Sequence, residues 1–209
     1  MTRRHTLGMA LTATLALSLW AAAPFAIGRD ASAGPGLTSS RVTIAGTSNI
    51  HAYTASTTAA RVTRMQLAAD VRLDHLWDDA VKPGAVEAFE LVIPAATLVS
   101  GNDGLDKNMH KALKTTEHRE IVFRLGRLEP AAAADARRAH GTLTVAGVER
   151  DVVVDVTLRS RDAGLALTGT TELLMTHYGI VPPKAMLGML KTNPKVTVTF
   201  EFVLGTPLT

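Results

Sequence analysis

The sequence predicts an all-β fold: one antiparallel sheet of roughly eight to ten strands rolled into a β-barrel, with one or two short helices. The first observation is alternation, the period of a strand with one wet and one buried face. In "DVVVDVTLRS", Val152, Val154, Val156 and Leu158 share a face, while Asp151, Asp155, Thr157 and Arg159 take most of the other. The second is the brevity of the links, with "VAGVER" turning around Gly147 and "RDAGLA" around Gly164, which makes consecutive strands antiparallel neighbours. The third is width. A meander this wide with one apolar face must curl to bury it, and closure removes edges that would pair with other chains. A two-sheet sandwich is the alternative.

In chain order, residues 1–33 read as a secretory signal peptide. Arg3, Arg4 and His5 open the chain, an apolar run covers Leu7–Ala23, and small residues lead to Ala31 and Ala33, the pattern of a cleaved leader. The alternative is an uncleaved anchor, since the run is nearly long enough to span a bilayer. The chain has no cysteine, so a lipid-attached form is excluded. Residues 34–209 then form one domain, large enough to bury a core without disulfides. Removing 1–33 takes away three Arg and one Asp and leaves 19 basic against 18 acidic residues. Nothing in that balance suggests a nucleic-acid partner, which would need a basic patch. The expected location is periplasmic or secreted.

Next come the strands. "RVTIAGTSNI" offers Val42, Ile44 and Ile50 to the interior, "EAFELVI" offers Phe89, Leu91 and Ile93, and "EIVFRL" offers Ile121, Phe123 and Leu125. "LALTGTTELLM" alternates more weakly, and "VTVTFEFVL" sets Val196, Val198, Phe200, Phe202 and Leu204 against Thr197, Thr199 and Glu201. Two segments carry helical spacing. Residues 103–115 place Leu105, Met109, Ala112 and Leu113 on one face, with a cap supplied from Ser100 to Asp103. "PPKAMLGMLKTNP" has Pro182-Pro183 as a helix start and Asn193-Pro194 as a stop, with Met186, Leu187, Met189 and Leu190 between. The Ala-rich stretch Leu128–Ala139 is a short helix or a loose loop.

The polar groups near the first helix offer several chemistries. Asp106 and His110 stand four apart, a spacing that lets a carboxylate tune a general base. No Ser or Cys nucleophile is positioned to complete a triad, and these charges occupy the face left over by Leu105, Met109 and Leu113, so a solvated face is the simpler reading. His110 and His118, with His177 or His51, lack the spacing of converging metal ligands. His51 with Tyr53, and His177 with Tyr178, mark polar corners at strand ends. An enzyme, a hydrolase or transferase, would draw on His51 or His177. Met109, Met175, Met186 and Met189 cluster in or near the helical segments, and flexible Met suits either a core or an adaptable apolar pocket.

Together these stretches resemble the YceI-like family, exported lipid- or polyisoprenoid-binding proteins with a lipocalin-like fold, from about Arg41 to Leu204. "GTSNIHAYTAS" is similar to the family's opening strand and Ser-x-x-His turn, and "FELVIPAATLVSGNDGLDKNMHKALK" to its strand-to-helix segment. "EIVFRL", "GTLTVAGVERDVVVDV" and "VTVTFEFVL" follow in the family's order. Leu105 to Met109 stand where members often have Arg-Asp-x-His-Leu, and His118-Arg119 where they have an aromatic-Pro pair. The resemblance implies an antiparallel barrel around an apolar tunnel, a long isoprenoid or lipid inside it, and no catalysis.

The expected protein is therefore a binding protein that carries or sequesters a polyisoprenoid, an isoprenoid quinone or another lipid, with no cofactor beyond that ligand. Its expected lining is Phe89, Leu91, Met109, Leu113, Phe123, Val154, Val156, Met186, Leu187, Met189, Leu190, Phe200 and Phe202. The helix around Met109 and the segment around Met186 are expected to cover a barrel mouth. A barrel packed solid with side chains is the structural alternative. Transient membrane contact and oligomerisation are left open.

Overall fold

The computed structural model describes residues 36–72, 75–161, 164–185 and 190–205, with the backbone alone at Trp77, Arg161, Lys184, Ala185 and Leu190. Each alternating run is a strand. In chain order they are β1 (Gly36–Ser48), β2 (Ala52–Thr57), β3 (Arg61–Leu67), β4 (Val86–Pro94), β5 (Glu120–Pro130), β6 (Ala136–Val145), β7 (Val148–Arg161), β8 (Gly164–Leu174), β9 (Lys184–Ala185) and β10 (Leu190–Gly205). Nine of them follow one path, β2-β1-β10-β8-β7-β6-β5-β4-β3, and β9 pairs with β10 beside it. Every pairing is antiparallel.

One path of this width is a single curled sheet, not a sandwich. Its ends, β2 and β3, are neighbours in sequence, joined by residues 58–60, and the Ser40 hydroxyl donates to the Thr58 carbonyl across that corner. Strands from opposite parts of the path meet inside: Val42 of β1, Ala60 beside β3, Leu91 of β4 and Phe202 of β10 form one buried cluster. The curl has a local cause. Register shifts interrupt the ladders at Leu37/Ser39, Gly46/Ser48, Val62/Arg64, Gln66/Leu67 and Leu125/Arg127, and such bulges bend and twist a strand.

The β6–β7 hairpin turns on Ala146 and Gly147, with φ of 49° and 80°, the two consecutive positive values of the tight turn that suits strand twist. The outer face carries cross-strand ion pairs. Arg124 bonds Glu90 at 2.7 Å and Glu149 at 3.3 Å, and Lys195 bonds Glu172 at 2.8 Å. Glu90 titrates below the usual carboxylate range because it accepts from the Thr63 hydroxyl and the Arg124 guanidinium.

Helix α1 (Leu76–Ala80) and helix α2 (Asp103–Ala112) lie in the two long connections. α2 begins at Asn102, whose side chain accepts from the Leu105 amide at 3.0 Å, so the cap comes from within the expected segment.

Three expectations fail. The helix expected over Pro182–Pro194 is not helical where described: Ala185 lies opposite Leu190 and Lys184 opposite Lys191 in an antiparallel strand pair. Pro194 does not stop anything; it lies inside β10 where the register slips between Ser48↔Thr192 and Gly46↔Val196, a position where a missing N–H removes no ladder bond. The Ala-rich stretch is neither helix nor loose loop: β5 runs to Pro130, β6 starts at Ala136, and Ala131 and Ala136 bond across the turn. Ile50 is not interior, because β1 ends at Ser48 and leaves Ile50 60% exposed in the turn.

Candidate functional site: a two-lobed apolar cavity

The inward positions of the strands do not fill the barrel. They enclose an inner lobe of about 160 Å³ and an outer lobe of about 210 Å³. The lobes share five wall residues, Val42, Ile93, Leu143, Leu173 and Val198. These come from β1, β4, β6, β8 and β10 and form a waist between two parts of one cavity.

Alternation alone supplies most of the inner wall. Phe89 and Leu91 come from β4, Phe123 from β5, Val154 and Val156 from β7, and Phe200 and Phe202 from β10. The two β10 rings stack with centroids 5.4 Å apart. Among the described residues Thr171 is the only polar side chain on this wall. At the far end Ala80 lines the space, and Leu76 packs into the buried cluster of Val154, Val156, Leu158 and Leu204, so α1 acts as a plug. The plug is pinned by Asp79, 5% exposed, which accepts from the Arg72 amide at 3.2 Å and from the Lys82 ammonium. The Lys82 bond and then the Arg72 amide bond hold its pKa down at about 2.

Glycines set the space inside. Gly46, Gly141 and Gly169 each lie beneath an aromatic ring, of Tyr53, Phe123 and Phe200 respectively, where an added Cβ would collide with the ring. Tyr53 sits directly opposite Gly46 and Phe200 opposite Gly169. The rings therefore lie along the wall, not across the bore.

The outer lobe is walled differently. Leu105, Met109 and Ala112 of α2 face it together with Leu113, which caps the helix, and Leu98, Ile121, Val145 and Ile180 add to the apolar lining. Four residues, Tyr53, Leu105, Asn108 and Thr192, also line an open vestibule with Ser48, His51, Thr54, Ser100 and Asn102. The outer lobe thus ends in a polar mouth. Burial raises the Tyr53 phenol pKa, and it raises that of Tyr178, against the opposing charge of Arg150.

Of the expected lining, Phe89, Leu91, Phe123, Val154, Val156, Phe200 and Phe202 meet in the inner lobe, and Met109 and Leu113 in the outer. Met186, Leu187 and Met189 lie outside the described residues, and the Leu190 side chain is not described. Tyr53, Asn108, Thr192 and Ile180 were not legible as lining. Thr192 precedes the alternating part of β10, Asn108 lies among the charged residues of α2, and Ile180 follows a turn at Gly179 with φ 65°.

The candidate catalytic groups do not assemble. Asp106 accepts from the Ser100 amide at 2.8 Å and hydroxyl at 2.6 Å, bonds led by the hydroxyl that lower its pKa. His110 instead bonds the Leu98 carbonyl at 2.8 Å. The His118 ring covers Gly147. His51 and His177 are both exposed; the Ser48 hydroxyl bonds the His51 backbone, and the His177 carbonyl accepts from Arg150. Among the described residues no three His, Asp or Glu side chains converge on a metal position.

A curled antiparallel barrel around an almost wholly apolar cavity defines a class of ligand-enclosing barrels. The model of the YceI-like domain matches residues 38–204, and the chain belongs to the YceI-like family. Solved structures share its fold at low identity. One is BcnA of Burkholderia cenocepacia, at TM-score 0.63 and 13% identity over 78% of this chain and 95% of that one. Another is a polyisoprenoid binding domain from Saccharophagus degradans implicated in plant cell wall breakdown, at TM-score 0.62 and 12% identity over 84% and 99%. The YceI protein of Campylobacter jejuni aligns at TM-score 0.52 and 12% identity over 71% and 85%. No curated protein sequence matches the chain.

Proposed function

We propose that this protein encloses a long apolar chain, a polyisoprenoid or another lipid, and carries or sequesters it. The observation that supports this most is a bore that side chains do not fill: two lobes of about 160 and 210 Å³ joined at a waist, with one polar side chain on the inner wall among the described residues. An apolar cavity of about 150 Å³ stays dry and takes up benzene, so each lobe is large enough for a length of hydrocarbon. Each buried methylene contributes about 0.8 kcal/mol, which gives a long chain tight binding with few polar contacts. A barrel packed solid would leave no such space. The polyisoprenoid-binding description of the Saccharophagus degradans domain points the same way.

The wall residues that we expect to touch the chain are Phe89, Leu91, Phe123, Val154, Val156, Phe200 and Phe202 within, and Met109 and Leu113 nearer the mouth. Met186, Leu187, Met189 and Leu190 are proposed on their sequence alone. The protein is proposed to be exported, on the signal-peptide pattern of residues 1–33, and to work as a binding protein, not as a hydrolase or transferase.

The test is mass spectrometry of an organic extract of the protein purified from the envelope fraction without detergent, together with N-terminal sequencing. A stoichiometric long-chain lipid and a start near Gly34 are expected. An extract that stays empty after candidate lipids are added back would overturn the enclosure, and a start at Met1 would overturn cleavage.

A further inference from the structure

Large apolar side chains left in water are few on this barrel, and they are not spread evenly. Among the described residues they are Ile50, Val99, Val153 and Val181. All but Val153 stand at the open end. Ile50 precedes His51 of the vestibule, Val99 lies between Leu98 of the outer lobe and Ser100 of the vestibule, and Val181 follows Ile180 of the outer lobe. Val181 is the most exposed of them, at 78%. Hydrogen bonds tie these segments into one rim. The Asn49 amide donates to the Lys191 carbonyl at 3.1 Å, the Thr192 amide to the Pro183 carbonyl at 3.2 Å, and Val99 pairs with Ser56 of β2. Single exposed apolar residues need no explanation, but a group of them around a cavity opening marks a contact surface.

The same rim is basic. Lys107 and Lys111 stand four apart on the exposed face of α2, away from Leu105, Met109 and Ala112, which face the outer lobe. Lys114 follows at the helix end, and Lys191 adjoins Thr192 of the vestibule; both are exposed. Lys184, whose side chain is not described, pairs with Lys191 through the backbone. Among the described residues none of the Lys107, Lys111, Lys114 and Lys191 ammonium groups has an ion-pair partner. On the outer face of the strands, by contrast, Arg61, Arg124 and Lys195 are each paired with a carboxylate. The carboxylates of α2 are Asp103 and Asp106, and Asp106 is taken up by the Ser100 amide and hydroxyl. The rim therefore joins apolar side chains that water does not favour to cations that no carboxylate neutralises. A bilayer with anionic head groups satisfies both at once, because its interface takes up the apolar side chains and its phosphates attract the lysines.

We infer that the open end of the barrel is a membrane-docking surface, with Ile50, Val99 and Val181 set into the head-group layer and Lys107, Lys111, Lys114 and Lys191 held by anionic lipids. Docked in this way, the mouth faces the acyl chains, and a lipid passes between bilayer and bore without crossing water. That passage rests on the enclosure proposed above; the docking rests on the rim alone.

The experiment is co-sedimentation of the protein purified from the envelope fraction, with a start near Gly34, and vesicles of phosphatidylcholine alone or mixed with phosphatidylglycerol. Binding is expected to the mixed vesicles, less to phosphatidylcholine alone, and to fall as salt is raised. Lys107→Gln, Lys111→Gln and Lys191→Gln combined are expected to weaken it by about tenfold or more. Ile50→Ser combined with Val181→Ser is expected to weaken it several-fold, whereas Val153→Ser on β7 is expected to leave it unchanged. All these side chains are exposed, so melting temperatures are expected to stay the same. Absence of binding to the mixed vesicles, or binding that neither rim variant changes, would overturn the docking. A loss in the lysine variant with none in the apolar variant would overturn the bilayer as partner and leave a basic surface for an acidic protein. Lipid retention in solution, read by mass spectrometry as above, is expected in every variant. An empty bore in a protein that still docks would bring down the enclosure and leave the docking standing.

Discussion

The inner and outer lobes of the cavity hold similar volumes and are both apolar, yet they are built by different means. The inner lobe is a product of the sheet, with every wall residue but Ala80 taken from a paired strand and fixed by register. The outer lobe borrows from α2, from the turn at Met175–Tyr178 and from the link at Ile180 and Pro183. Sheet-built walls are rigid because moving one side chain means moving a ladder. Walls built from connections are held by fewer bonds and can differ in chemistry from one position to the next. For the enclosure proposed above, the difference gives the inner lobe a uniform hydrocarbon wall and the outer lobe a wall of mixed chemistry.

The comparison is broken most sharply by truncating one large side chain in each lobe. Phe202→Ala removes a ring that is 4% exposed and stacked on Phe200, and a loss of about 3–5 kcal/mol is expected in denaturant unfolding. Met109→Ala, on the half-buried face of α2, is expected to lose about 1 kcal/mol. Equal losses would mean that the outer lobe is as fully part of the core as the inner.

A smaller effect is expected at Gly141. An added Cβ there meets the Arg124 carbonyl as well as the Phe123 ring, and backbone cannot rotate away as a side chain can. Gly141→Ala is expected to cost about 1–3 kcal/mol and to narrow the inner lobe alone, so a long chain should be retained less. Retention equal to that of the unmodified protein would show that Phe123 is not part of the ligand's path.

The plug of the inner lobe carries a pH signature. Asp79 has its pKa lowered from 3.8 to about 2 in the folded state, so its contribution is fully present above 3.8 and is lost as pH falls towards 2. Melting temperature should drop across that window in the unmodified protein. The drop should be smaller in Asp79→Asn, which starts less stable at neutral pH. Identical acid profiles for the two proteins would remove Asp79 from the plug.

The smallest effect belongs to His177. Its ring is exposed and only its backbone carbonyl is used, so His177→Ala is expected to change stability by less than about 0.5 kcal/mol and lipid retention not at all. A loss of some hydrolytic or transfer activity in that variant would revive the enzymatic alternative.

The two lobes also differ in how far they could be read from the residues. The inner wall was legible because period-two alternation states which side chains face in, as in Val152–Leu158 and Val196–Leu204. The outer wall was not, because a turn sets its own geometry: nothing local distinguishes Ile50, which ended outside, from Ile180, which ended inside and 6% exposed. Pro194 was misleading for a related reason. Proline stops a helix, but it is tolerated where a ladder slips, and the slip opposite Gly46–Ser48 depends on β1, about 150 residues earlier. Tyr53 looked like a polar corner; only its pairing with Gly46 reveals a ring laid on the wall.

That pairing, where the atoms nearest an added Cβ all belong to the Tyr53 ring, has an evolutionary consequence. Near the mouth the calibre of the bore is written at a pair of positions, one lacking a side chain and one carrying a ring that occupies the vacancy. Either member changed alone leaves a clash or a hole, whereas a joint exchange to two medium-sized residues preserves register and total volume. Relatives that accommodate thicker or thinner cargo can therefore diverge by such compensated exchanges without redrawing the sheet.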